Sequence, residues 1–181
     1  MATCTQYAIK GFGQECQGSA SGLKRLLIGL EREWQIVPSS YTSGAPHNAT
    51  ISATTTGDPV FYEYYIADEA ASLTSTLNIN NTNGVKYYQN ELQVTWVRMR
   101  PEKHLQMQAL ANEKLIILVQ DANGTYWVFD NAMASAETAQ SGLAADDLSG
   151  YQVTISGRTP VLPYKVDNTD LPDVDEATPY N

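Results

Sequence analysis

Apolar and polar residues alternate over residues 91–96, where Leu92, Val94 and Trp96 are interleaved with Glu91, Gln93 and Thr95. That period of two predicts a strand with one wet face. Pro101 fits the first helical position, where a missing N–H is harmless, and Glu102 in the first turn suits the helix dipole. Leu105, Met107, Ala109, Leu110 and Ala111 then predict a short helix with a broad apolar face. Residues 115–119 (LIILV) are an unbroken apolar run, as in a strand covered on both sides. Asn123-Gly124 predicts a tight hairpin after it, because both residues tolerate positive φ. Residues 91–129 therefore read as strand, helix, buried strand, turn, strand: a core-building unit without evident chemistry.

The same patterns extend along the chain. Residues 23–30 (LKRLLIGL) predict a buried strand ending near Gly29, with a helical turn as the alternative, and residues 31–37 continue it after a bend. Residues 60–67 (VFYEYYIA) predict an aromatic-rich strand. Leu73, Ser75, Leu77 and Ile79 alternate with Thr74, Thr76 and Asn78, a turn follows at Asn83-Gly84, and residues 86–99 form the second arm of a hairpin. Residues 131–142 (NAMASAETAQSG) are small and polar and read as an exposed loop. After a turn at 146–150, Tyr151, Val153 and Ile155 share one face of a further strand. Residues 38–57 read as a long Thr/Ser-rich loop, or a hairpin that orders against a neighbour. Residues 1–20 read as an N-terminal arm and residues 163–181 as a solvated acidic tail or an arm that orders on a partner. The sum is one β-rich core domain over residues 21–162, with about seven strands and one helix: α+β, mainly antiparallel.

Charge and candidate chemistry narrow the function. Hydrophobic residues make up 43% of the 181, enough for a real core. The net charge of -9 argues against sequence-specific nucleic-acid binding, which gathers cations against phosphates. An acidic surface repels a nucleic-acid backbone instead. No apolar run approaches the roughly 18–20 residues that span a bilayer, so no membrane partner is expected. The first residues, MATCTQYAIKGFGQEC, lack a signal peptide's basic and apolar regions. Cys4 and Cys16 read as plain thiols, and with His47 and His104 they do not show zinc spacing. His104 reads as a surface histidine and His47 as part of a flexible loop. No nucleophile elbow, phosphate-binding lysine motif or HExxH is present. Asp121-Ala122-Asn123-Gly124 has the look of a calcium loop's opening, but Ala132 stands where a bidentate Glu is required. No catalytic residue, metal or cofactor is expected.

The tyrosines are more informative. Eleven Tyr stand against three Phe, clustered at Tyr62, Tyr64, Tyr65, Tyr87 and Tyr88. Such residues either form cross-strand pairs within a sheet or supply contact area that a partner buries. With Tyr41 and Ile51 in the long loop, they are the candidate contacts between copies of the chain.

Several of these features occur in a recognisable order: an early Cys, GLK opening the first strand, a Tyr-rich strand, the NTNG…YYQNEL hairpin, the short helix, LIILVQDANGTYW and DDLSGYQVTISG. In this the chain resembles small structural virion proteins of tailed bacteriophages, notably those infecting Bacteroidetes, and is similar to the tail-tube fold. The resemblance covers roughly residues 4–157 and rests on turns and core patterns. It implies a β-sandwich or half-barrel with one flanking helix, assembling with copies of itself into hexameric rings that stack into a tube. It also implies other virion proteins as partners, assembly in a host bacterial cytoplasm, and an acidic conduit through which DNA passes without specific binding. The acidic tail after Val166 departs from that pattern. A head-decoration, head–tail connector or neck protein is the competing reading within the virion. From another class, a carbohydrate-binding β-sandwich module would line a groove with Trp34 and Trp127.

Overall fold

The computed structural model describes residues 21–39, 47–67, 69–142 and 147–175. Their strands are β1 (Leu23–Leu30), β2 (Trp34–Pro38), β3 (Ala49–Ala53), β4 (Phe61–Tyr64), β5 (Ala71–Asn80), β6 (Val85–Val97), β7 (Leu115–Asp121), β8 (Tyr126–Gln140), β9 (Gly150–Thr159), β10 (Tyr164–Val166) and β11 (Val174–Asp175). One α-helix, α1 (Pro101–Asn112), lies between β6 and β7. The main sheet has the order β11-β4-β1-β7-β8-β9-β6-β5, with β10 also on β8, and β2 pairs β3 in a sheet of their own. Every pairing between strands is antiparallel except β11 with β4. The fold is β-rich α+β, as the alternation predicts.

The apolar run at 115–119 explains the layering. Leu115, Ile117 and Val119 face one core and Ile116 and Leu118 the other, all fully buried. The first core joins Leu26 and Ile28 of β1 to Leu92, Val94 and Trp96 of β6 and Tyr151, Val153 and Ile155 of β9. These strands stand apart in the sheet order, so the sheet must fold over on itself to bring them together. Met107 and Leu110 of α1 fill the same core. The second core is covered by Trp34 of β2, with Ile36 and Ile51 packed beside it, and by Val166 and Val174.

Several expectations need correction. Residues 131–142 are no loop: β8 continues to Gln140 and pairs β9 from Ala132 onward. Its distal half is mostly exposed, so no alternation of apolar residues marks it. Residues 31–37 do not extend β1, because β2 leaves the main sheet to pair with β3. The 38–57 loop contains β3, ordered within the single chain, while residues 40–46 lie outside the described residues. The acidic tail is docked as far as Asp175, through β10 on β8 and β11 on β4, with Val166 fully buried. The aromatic strand is only Phe61–Tyr64. In α1 only Met107 and Leu110 are buried, and Leu105 is exposed because two residues turn a helix by about 200°. In both hairpins only the glycine, Gly84 or Gly124, takes positive φ, so neither is the two-residue turn that Asn-Gly suggests. His47 is held rather than free: its ring stacks on Tyr164 at 4.2 Å, and Nε2 lies 3.0 Å from the Leu162 carbonyl oxygen.

Candidate self-assembly surface

β5 ends the main sheet, and one bond fixes how its backbone is directed. Thr95 N–H donates to the Ala70 carbonyl at 2.8 Å. In the register of β5 with β6, Ala70 and Thr95 fall opposite each other, one step beyond Ala71 and Val94. Hydrogen-bonded and non-bonded pairs alternate along an antiparallel ladder. Ser72, Thr74, Thr76 and Asn78 therefore bond β6. Ala71, Leu73, Ser75, Leu77 and Ile79 direct both N–H and C=O toward the open edge. No backbone bond within the described residues meets them there.

The side chains on this edge match its backbone. Residues 70–90 carry a single charge, Lys86. Leu73, Ser75, Leu77 and Ile79 lie on the face that continues the first core. Beyond Ser75 that face runs out into solvent, leaving Leu77 41% and Ile79 57% exposed. A polar chain secures the base of the hairpin. Ser75 Oγ donates to Asn90 Oδ1 at 2.7 Å, Asn90 Nδ2 to Thr159 Oγ1 at 2.8 Å, and Thr159 Oγ1 to the Val161 carbonyl at 2.6 Å. Asn90 is wholly buried, so these bonds are what permit an amide in that core.

A second strand of the main sheet is paired on one side only over part of its length. β7 pairs β8 only as far as Ala132, so residues 133–140 meet β9 on one side alone. The distal half of β8, then β9, β6 and β5, thus form a four-stranded run that ends at β5, while α1 packs against β8 and β8 bulges between Ala134 and Ala136. Glu137 is the only charge in 133–140. Partial burial holds its carboxyl above the usual carboxylate range.

The sequence-predicted contact residues are dispersed. Tyr41 lies outside the described residues. Ile51 packs on the second core, and Tyr64 packs on the first, 5.7 Å from the Trp96 ring. Tyr62 and Tyr65 are exposed near the other end of the sheet. Tyr87 and Tyr88 do lie on the β5–β6 hairpin, half-buried, with Arg158 stacked over Tyr87 at 5.4 Å. Leu77 and Ile79 are exposed on the β5 edge, although their alternation reads as core. The near-absence of charge over 70–90 is the signal that marks them.

Beside this edge opens a cavity of about 520 Å³, lined by Leu73, Ser75, Asp121, Trp127 and Leu162 among others. Its polar groups are already engaged. Asp121 Oδ1 accepts from Asn123 N and Thr125 N, and Oδ2 accepts from Trp127 Nε1 at 3.0 Å. Asp121 is a turn anchor here, as the hairpin reading predicts. Trp34 is buried 4.9 Å from Phe61, so the two tryptophans do not line one groove. Among the described residues no helix is long and apolar enough to cross a membrane. Comparison of the chain with protein-family models, curated proteins and solved structures found no match.

Proposed function

We propose that this chain is a structural subunit that assembles with copies of itself, of the tail-tube kind found in tailed-phage virions. The observation that carries the reading is the β5 edge: free of charge, with Leu77 and Ile79 exposed and directing outward amides that meet no backbone partner among the described residues. Monomeric proteins commonly defend such an edge with lysine, proline, a bulge or a short strand. Pairing β5 of one copy with residues 133–140 of the next joins two different surfaces, a head-to-tail contact that closes into a ring or grows into a filament. β8 bulges at Ser135, so regular pairing is left to residues 136–140, about five main-chain hydrogen bonds, at the low end of a specific interface. A folded-over sheet with α1 on its flank suits the half-barrel subunit that the sequence resemblance implies. The net charge of -9 suits a conduit from which a polyanion is repelled and so slides freely.

Leu77→Pro tests the reading. It removes one outward N–H and breaks no bond to β6. In sedimentation velocity and negative-stain microscopy, the unaltered chain forms rings or tubes, and Leu77→Pro stays monomeric with the same circular dichroism. An unaltered chain that remains a monomer at every concentration, or a Leu77→Pro chain that assembles equally well, overturns it.

A further inference from the structure

At the far end of β6 from its hairpin turn, where the strand gives way to α1, the chain reads VRMRPEKHL. Three of the eleven cations, Arg98, Arg100 and Lys103, fall within six residues there, with Glu102 as the one acid among them. Around them large apolar groups face solvent: Tyr65 is 76%, Leu105 71% and Val97 59% exposed. The shared location follows from bonds between these segments. Trp96 Nε1 donates to the Tyr65 carbonyl at 2.8 Å, and Lys103 Nζ to the Val97 carbonyl at 2.6 Å. Burial first, and then the charges of Arg100 and Arg98, hold the Lys103 ammonium below the usual lysine range. Neither Arg98 nor Lys103 has a carboxylate partner among the described residues. Arg98 also sits at φ 65, a left-handed backbone that non-glycine residues rarely adopt, fixed by its N–H donating to the Ser149 carbonyl at 2.7 Å. Scattered exposed apolar residues need no explanation, but an apolar patch interleaved with arginines has the composition of an interface.

The opposite charge lies elsewhere on the same molecule. Asp170, Asp173 and Asp175 are exposed along the C-terminal strip, while Leu171 and Val174 are partly buried against the second core. Copies of a chain with net charge -9 repel one another at long range, so attraction between them needs a locally cationic surface. We infer that the basic, apolar end of one copy docks on the acidic strip at residues 170–175 of a second copy, Asp167 being already paired with Lys165. The contact rests on the self-assembly reading but uses surfaces separate from β5. It joins unlike patches, so it too propagates from copy to copy.

Charge reversal tests it in the full chain. Arg98→Glu with Arg100→Glu, and separately Asp170→Lys with Asp173→Lys, should each weaken the salt-sensitive part of assembly about tenfold. All four changes together should restore it to within about threefold, the signature of a direct pair. Raising salt from ~0.02 to ~1 M should weaken the unaltered contact and, by screening the new like-charge repulsion, strengthen that of each singly reversed pair. Should the lysines disturb the docked tail, seen as altered circular dichroism, Asp170→Asn with Asp173→Asn gives a smaller loss in the same direction. Reversals without effect, or a fourfold variant that fails to recover, overturn the contact while leaving the β5 reading intact. So does an Arg98/Arg100 variant that assembles normally but loses binding to duplex DNA or to vesicles of anionic lipid. An unaltered chain that never assembles overturns the self-assembly reading itself.

Discussion

The two ends of the main sheet solve the same problem differently. At one end β4 has four residues, Pro172 precedes β11, and Asp173 and Asp175 flank Val174. Phe61 of β4 is fully buried, and Arg25 pairs with Glu63 across β1 and β4. The hydrogen bond to Glu63 is the chief reason the Arg25 guanidinium is held protonated even beyond the usual arginine range. Short strands, a proline and charges are what make an edge unattractive to another chain. At the other end β5 has ten residues, no proline and no charge, and its apolar face continues past the core into water. One edge is closed to further pairing, and the other is left able to accept it.

The first way to break this comparison is to ask what each edge does for the single chain. Phe61→Ala at the closed edge should cost about 3–5 kcal/mol, through lost burial and the cavity left behind. Leu77→Ala at the open edge should change stability by no more than about 0.5 kcal/mol. Urea titration of monomeric samples compares the two directly, and equal losses would mean that Leu77 belongs to the core. A smaller effect sits at the base of the open hairpin. Asn90→Ala strips Ser75 and Thr159 of their shared partner and should cost about 1–3 kcal/mol in the same titration. A loss well under that range would show that the polar chain does not secure β5.

The smallest effect concerns Glu137 on the distal half of β8. Its carboxyl pKa is raised by burial, so the folded state favours the protonated form. That contribution is full below the ordinary value of 4.5 and is lost as pH rises through the folded value. Glu137→Gln should therefore raise the melting temperature at pH 7 by about one to two degrees and leave it nearly unchanged at pH 4. An equal shift at both pH values would detach the effect from ionisation.

Much of this architecture is legible in the residues. The continuous run at 115–119 predicts a strand buried on both faces, and Leu115 through Val119 indeed divide between two cores. The alternation of Leu73 through Ile79, with Asn83-Gly84 after it, predicts the β5–β6 hairpin to within a residue or two. What escaped has a common cause. The distal half of β8, β3 and the docked tail consist of small or polar residues whose strand pairing comes from backbone bonds to neighbours distant in sequence. Periodicity reports burial over several residues: the distal half of β8 has little to report, and β3 and the tail bury only isolated residues such as Ala49 and Val166. The open edge escaped differently, since Leu77 and Ile79 carry a core pattern in a place where the single chain has no core. The candidate tyrosines divide: Tyr64 packs inward on the first core, while Tyr62 and Tyr65 are exposed.

Hydrogen exchange along β5, read residue by residue in the dispersed and the assembled chain, tests the central claim most directly. In the monomer, the amides of Leu73, Ser75, Leu77 and Ile79 should exchange fast, while those of Ser72, Thr74, Thr76 and Asn78 are protected by β6. On assembly the first set should become protected and the second should hardly change. Assembly that leaves the first set exchanging as fast as before would contradict the account, because the open edge would then not be the surface at which copies meet.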